Sequence, residues 1–407
     1  MSGTTTATPV DAAEREAALY QRIAAFPASL FHFDPRIATG WLSDRYFLRS
    51  AATLAMDGRD PTVTMQVFAK RDGVLAGVWE AIRLLQTQLR PGVDGAPREP
   101  DCLRVETLLE GDVVSPWETA MLIHAPYRCI AHLETPVLGV LARRSLVATN
   151  VRRVIAAARG QRVIFMGARH DDWRVQTPDG YAALVGGVQQ VSSDAGGAWW
   201  GSRGVGTMPH AIIAAYGGDV VAATLAFARY ARDAEPDVAV VSLVDYHNDV
   251  VRDSLAVARA MRDEFGPGSL AGVRVDTSER LVDRSLEGVV PEPGERLHGV
   301  SPRLVRLLRA RLDEEGFGDV GVVVSGGFTP TRITAFEDAG VPVMAYGVGS
   351  SLLGHNHGEA DGLLTSFDFT ADIVLLDGKP ESKVGRGLRP NPRLVPVDWD
   401  RLRAVDG

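Results

Sequence analysis

Three apolar, strand-like runs in the second half of the chain end in residues that can do chemistry. Residues 238–244 are closed by Asp245, residues 272–275 by Asp276, and residues 322–324 by Ser325-Gly326-Gly327. Carboxylates on one rim can hold a divalent cation or sugar hydroxyls, and a glycine turn lets backbone N–H groups close on a phosphate. Together they suit a phosphorylated, metal-bound sugar. Either acid alone could be a helix N-cap following a strand; the two beside a glycine turn are harder to explain that way. A second glycine turn, Gly347-Val348-Gly349-Ser350, follows the next strand-like run. Barrels of parallel strands bind phosphate at such late turns.

Other residues extend the set. Arg169 and His170 follow a short apolar run, where a guanidinium fork can grip a carboxylate or phosphate, or simply make a surface ion pair. In Gly204-Val205-Gly206-Thr207-Met208-Pro209-His210, the glycines allow close backbone approach. Pro209 suits a first helical turn there, which puts His210 at the positive end of a helix. His355-Asn356-His357 has metal-ligand spacing without a third ligand nearby, so it reads as a polar loop. Trp199-Trp200 reads as a lid or an oligomer contact.

The elements that must position these residues form two patterns. Residues 1–11 are small and polar and read as a disordered N-terminus. From 12 to 144 the pattern is mixed: helices at 12–25, 42–56 and 74–89, a strand at 62–68, and strands broken by turns across 103–123. From 145 to 365, strands and helices alternate at a spacing that suits an α/β barrel better than a flat sheet. The tail, 366–407, alternates again, is rich in Pro and Gly, and is expected to return to the first domain as strands.

Composition sets bounds. The chain has 407 residues, 45% hydrophobic and 23% charged, in the ordinary globular range. A formal net charge of −8 argues against a nucleic-acid or membrane-surface partner, each of which calls for a basic face. Lys70, Lys379 and Lys383 are the only lysines, so nearly all positive charge is arginine. Cys102 and Cys129 are too few for a disulfide scaffold or a cysteine-based zinc site and are expected to be reduced and buried. No apolar run is long enough to span a membrane, and the N-terminus lacks the order of a signal peptide, so a cytoplasmic enzyme is expected.

Taken in order, the motifs resemble those of nicotinate phosphoribosyltransferases, in particular the shorter archaeal-type branch. Ser43-Asp44-Arg45-Tyr46-Phe47 resembles the family's Asp-x-Tyr-Phe segment, and Leu133-Glu134-Thr135-Pro136-Val137-Leu138-Gly139 its Leu-Glu-Thr-Pro-Leu-Leu-Gly stretch. Gly206-Thr207-Met208-Pro209-His210 matches Gly-Thr-Met-Pro-His residue for residue, and Val273-Arg274-Val275-Asp276-Thr277 is similar to Val-Arg-Leu-Asp-Thr. Val324-Ser325-Gly326-Gly327 and Tyr346-Gly347-Val348-Gly349-Ser350 complete the series.

The resemblance implies a type II phosphoribosyltransferase: an incomplete α/β (TIM-like) barrel with an α+β sandwich domain, assembled as a homodimer or higher homo-oligomer. It implies that nicotinate displaces diphosphate from phosphoribosyl pyrophosphate in NAD salvage. Arg169, with His170 beside it, would hold the pyridine carboxylate, and Tyr46 would stack on the ring from the same or a neighbouring subunit. Asp245 and Asp276 would hold ribose hydroxyls or Mg²⁺. Thr207, Ser325, Gly326, Gly327, Gly347, Gly349 and Ser350 would take the phosphorylated sugar. His210 matches the histidine that is transiently phosphorylated when ATP hydrolysis is coupled to the reaction.

Some positions depart from the pattern. His170 stands where a second arginine is usual, Gln189 where an acid is usual, and Tyr246-His247-Asn248 follows Asp245 in place of a Thr-containing segment. These departures are expected on the acceptor side. Quinolinate phosphoribosyltransferase on the same fold, transfer to another heteroaromatic acceptor, and a silent nucleotide-binding homologue are the rival readings.

Overall fold

A computed structural model describes residues 9–23, 25–90, 100–206, 208–355 and 358–406. The chain divides into two compact units, Met1–Thr149 with Leu184–Gly186 and Ser366–Gly407, and Asn150–Ala183 with Gly187–Thr365.

The first unit is built on a six-stranded antiparallel sheet, in the order Lys379–Pro380, Phe369–Leu376, Thr62–Ala69, Thr119–Pro126, Arg104–Thr107, Val395–Pro396. Thr62–Ala69 is paired on both sides, and every residue after Thr62 is buried. Its polar positions are therefore enclosed and need partners. The Gln66 side-chain Oε1 accepts from the Arg389 backbone N–H at 2.7 Å and from the Thr119 hydroxyl at 3.1 Å, tying the tail to the sheet.

The expected helix over 74–89 starts later. Gly73–Val74 pairs with Val113–Val114, Gly77 has φ 88°, and the helix is Val78–Thr87. A left-handed residue cannot lie within a right-handed helix. The helix is instead capped from a distance: the buried Glu110 carboxylate accepts the N–H groups of Gly77, Val78 and Trp79 at 2.6, 2.8 and 3.2 Å. The helix expected over 42–56 likewise begins only at Arg45. The first helix is Pro9–Ile23, so it takes in the last three residues assigned to the N-terminal tail; the rest of that tail lies outside the described residues. Cys129 is buried, Cys102 is partly exposed, and their Sγ atoms lie 3.7 Å apart as thiols.

The second unit carries an all-parallel six-stranded sheet, in the order Gln190–Val191, Arg162–Phe165, Ala345–Val348, Gly321–Val324, Gly272–Val275, Val241–Leu243. The strand before Asp245 is shorter than expected: it runs Val241–Leu243, and Val240 adds only a carbonyl that accepts the Ala271 N–H at 2.9 Å. Helices Val250–Phe265, Pro302–Glu314 and Pro330–Asp338 connect successive strands and cover the sheet. Ile164, Val241, Val323 and Ala345 share one buried cluster, with Met166, Ala271 and Met344 packed on it. In a flat sheet the strands of Val241 and Ile164 would lie four spacings apart, roughly 19 Å. Their common cluster means that the sheet curls into a half-barrel. Among the described residues, no helix is long and apolar enough to cross a membrane.

Candidate functional site

The C-terminal ends of the parallel strands open on a cleft of ≈ 670 Å³ within the second unit. Parallel strands bring their terminal residues to one rim, and the βα turns there carry the chemistry.

The glycine turns form one wall. Gly326 and Gly327 have φ of 90° and 66°, a conformation that glycine adopts without strain. A Cβ at 326 would stand 3.1 Å from Asp276 Oδ1, and one at 327 would stand 2.5 Å from Glu279 Oε1. Among the described residues, neither the Gly326 nor the Gly327 N–H meets a protein acceptor. Ser325 is buried; its hydroxyl donates to Asp276 Oδ1 at 2.8 Å, and its N–H donates to the Val275 carbonyl at 3.0 Å. Adjacent strand ends are thereby held in register. The second turn is equally close-packed: a Cβ at Gly347 would lie 2.7 Å from Met166 Sδ, and one at Gly349 2.8 Å from His170 Nε2. Ser350 lines the same wall.

Arginine and histidine side chains line the same cleft. Arg169 is exposed, in the turn after Arg162–Phe165. His170 closes that turn with an N–H bond to the Gly167 carbonyl at 2.9 Å. Burial, with Arg169 and His355 adding to it, holds the His170 imidazole below its usual pKa. It therefore stays neutral near pH 7 and offers a hydrogen bond rather than a second positive charge. A second guanidinium does face the cleft. Arg274 lies within the strand Gly272–Val275, and its Nε is buried without a partner. Burial lowers its pKa, against the opposing pull of Asp276 and Asp245. Sequence reasoning passed over Arg274; the available signal was a lone charge inside an otherwise apolar strand.

The two acids take different places. Asp276 lines the cleft, but Asp245 lies behind His210. His210 is the first residue of the short helix His210–Ala215 and also lines the cleft. Its Nε2 sits 3.1 and 3.2 Å from the two Asp245 oxygens. Asp245 is only 6% exposed at its side chain, and burial pushes its carboxyl above the usual range, with Asp276 adding and His210 opposing. A buried carboxylate on an imidazole fixes the orientation of the ring.

The remaining assignments scatter. Thr207 lies outside the described residues, although Gly206 and Met208 beside it line the cleft. Tyr46 belongs to the other unit, 59% exposed, near the start of helix Arg45–Met56. Gln189 is exposed and precedes the strand Gln190–Val191, whereas the cleft takes Ser192 after it. Gln189 is thus on the opposite rim, and its expected place by the acceptor is corrected. Trp199 packs on Tyr181, ring centroids 5.6 Å apart. His355 Nε2 lies 3.4 Å from Asp171 Oδ2, and Asn356 and His357 fall outside the described residues. Among the described residues, no group of three His, Cys, Asp or Glu side chains could hold a metal by itself.

Comparison with known proteins agrees with this geometry. Residues 44–145 match the family model for the N-terminal domain of quinolinate phosphoribosyl transferase. A nicotinate phosphoribosyltransferase of Mycobacterium tuberculosis is 27% identical over 377 residues, covering 86% of this chain and 75% of its own. The crystal structure of a nicotinate-nucleotide pyrophosphorylase from Pyrococcus furiosus is similar, with a TM-score of 0.71 at 28% identity over 88% of this chain and 81% of that one. Human nicotinic acid phosphoribosyltransferase shares the fold, with a TM-score of 0.60 at 19% identity over 84% of this chain and 76% of that one. With the motif series in order along the chain, these likenesses make it similar to the nicotinate phosphoribosyltransferases in sequence and to type II phosphoribosyltransferases in fold.

Proposed function

We propose that this protein transfers the phosphoribosyl group of phosphoribosyl pyrophosphate to nicotinate, forming nicotinate mononucleotide and diphosphate in NAD salvage. The observation that carries the reading is one cleft lined both by glycine turns and by two guanidiniums with an imidazole. Glycine turns with unclaimed N–H groups suit the 5′-phosphate, and two guanidiniums with a neutral imidazole suit a single carboxylate.

In the reaction the C1′–O bond to diphosphate breaks and the pyridine nitrogen forms the new C1′–N bond. That nitrogen already carries its lone pair, so no general base is needed. The chain's own work is to hold the sugar by its phosphate at the Ser325–Gly327 and Gly347–Ser350 turns and to aim the ring through Arg169 and Arg274. Positioning of this kind supplies much of the rate. Asp276 is placed to take ribose hydroxyls and the positive charge that grows on the sugar. Asp276 fits Mg²⁺, which takes few protein carboxylates and keeps waters and substrate oxygens, whereas Asp245 is engaged by His210; bound there, the ion would neutralise the leaving diphosphate.

For ATP coupling we assign the phosphoryl acceptor to His210 Nδ1. Asp245 already occupies the Nε2 side. The γ-phosphoryl would pass to the imidazole with release of ADP, and water would later release phosphate. Tyr46 offers an exposed ring that its own unit does not bury, and we assign it to stacking on nicotinate within a homo-oligomer. The curled sheet we read as an incomplete TIM-like barrel. Its last strand pairs with its first, which leaves a seam between Gln190–Val191 and Val241–Leu243. Cytoplasmic location follows from this reading, because its phosphorylated substrates are retained inside cells.

Quinolinate, a dicarboxylate, would call for a denser basic cluster than Arg169 and Arg274 provide. Replacing Arg169 with Ala is expected to raise KM for nicotinate about tenfold or more, as for loss of a charge-assisted pair, with KM for phosphoribosyl pyrophosphate near wild type. Equal rises in both would count against the carboxylate clamp.

A further inference from the structure

The phosphate turn is held from outside the cleft by one side chain. Arg332, two residues into helix Pro330–Asp338, does not line the cleft. Its Nη1 donates to the Gly326 carbonyl at 2.5 Å and its Nη2 to the Val300 carbonyl at 2.7 Å. The guanidinium lies over the Phe328 ring, 4.3 Å from its centroid. Phe328 itself is buried, 1% exposed. Arg332 N–H is in turn capped by the Thr329 hydroxyl at 3.3 Å, and Glu279 approaches Nη1 at 3.7 Å. The guanidinium plane is thus fixed by a ring beneath it and by carbonyls from two separate loops.

Such a clamp has a directional consequence. In a trans peptide the C=O and the following N–H point in opposite directions. Among the described residues no peptide bond is cis. Holding the Gly326 carbonyl on Arg332 therefore aims the Gly327 N–H the other way, and Gly327 lines the cleft. The left-handed φ of both glycines leaves this turn without the restraint a side chain would give. Something else must fix the peptide plane, and Val300 extends the restraint to the loop that follows Asp276.

We propose that Arg332 is the positioning residue of the phosphate turn: it orients the Gly326–Gly327 peptide so that its unclaimed N–H meets the sugar's phosphate. The role acts through the turn rather than by contact, and it rests on the phosphoribosyl reading above. Its kinetic signature follows: tighter binding of the phosphorylated substrate, with little effect on the acceptor.

The test uses the full chain with Arg332→Met, which keeps an apolar stem on Phe328 and loses both donors, and Arg332→Lys, which keeps one donor. Two measurements run in parallel: steady-state kinetics with phosphoribosyl pyrophosphate and nicotinate, and calorimetric binding of ribose 5-phosphate. Arg332→Met is expected to raise KM for phosphoribosyl pyrophosphate and Kd for ribose 5-phosphate about tenfold. KM for nicotinate should stay within about twofold, and Arg332→Lys should recover part of the loss. Unchanged ribose 5-phosphate binding in folded Arg332→Met, or equal rises in both KM values, overturns the proposal. Should Arg332→Met fail to fold, Arg332→Lys carries the same comparison, and wild-type Kd in it is likewise contrary. Wild-type protein that binds ribose 5-phosphate without turning over nicotinate would overturn the acceptor assignment alone. Wild-type protein that does not bind ribose 5-phosphate would overturn the phosphate site together with the role of Arg332.

Discussion

At Gly327 two demands meet, a φ of 66° and a neighbour that leaves no space for a side chain, Glu279 Oε1 at 2.5 Å from an added Cβ. Gly327→Ala should therefore raise KM for phosphoribosyl pyrophosphate by about tenfold or more, the cost of roughly 1–2 kcal/mol of backbone strain falling on the turn itself. Steady-state kinetics would show it, and an unaltered KM would mean that the turn does not bind substrate. The chemistry at this scale was legible in the sequence wherever a polar residue interrupts or closes an apolar run. Asp276, Ser325 and the glycines are of this kind. Arg274 satisfied the same rule but sits inside its strand, and attention to strand ends alone passed over it. Asp245 was found, yet its pairing with His210 was not readable, because the two lie 35 positions apart and meet only through the fold.

Among the elements, the long helix Glu134–Ala157 begins on a carboxyl under strain of another sort. Glu134 is pushed up to about 8 by burial, then by Asp372 and Asp44. Its unfolded value is about 4.3, so the native state holds the extra proton between the two values, and stability falls as pH rises through that window. Glu134→Gln should stabilise the protein by several kcal/mol, at most about 5, at pH 9 and leave it unchanged at pH 4. Thermal melts at both values decide the matter; an equal gain at the two pH values would contradict the assigned cause. Element types were legible from periodicity, but several boundaries were not. Nothing local in 74–89 reveals that Gly77 turns left-handed or that Glu110, 33 positions away, supplies the cap. The apolar residues Val238 to Val240 look like strand in sequence, but the strand begins only at Val241.

For the whole molecule, the alternation of strand and helix predicted the parallel sheet, and the Pro- and Gly-rich tail was expected back on the first unit, where Phe369–Leu376 pairs with Thr62–Ala69. Curling was not legible, since short apolar runs look alike in flat and closed sheets; it shows in the cluster that joins Val241 to Ile164. A half-barrel whose strand ends offer glycine turns, an acid and two guanidiniums in one cleft leads to a single central claim, transfer of phosphoribosyl to a pyridine monocarboxylate. The direct measurement is a product assay with phosphoribosyl pyrophosphate and Mg²⁺, offering nicotinate, quinolinate or nicotinamide in parallel, with and without ATP. The account predicts nicotinate mononucleotide from nicotinate alone, with any ATP stimulation and ADP release lost in His210→Ala. Product with release of CO₂ from quinolinate, or no product from any of the three acceptors, would contradict it.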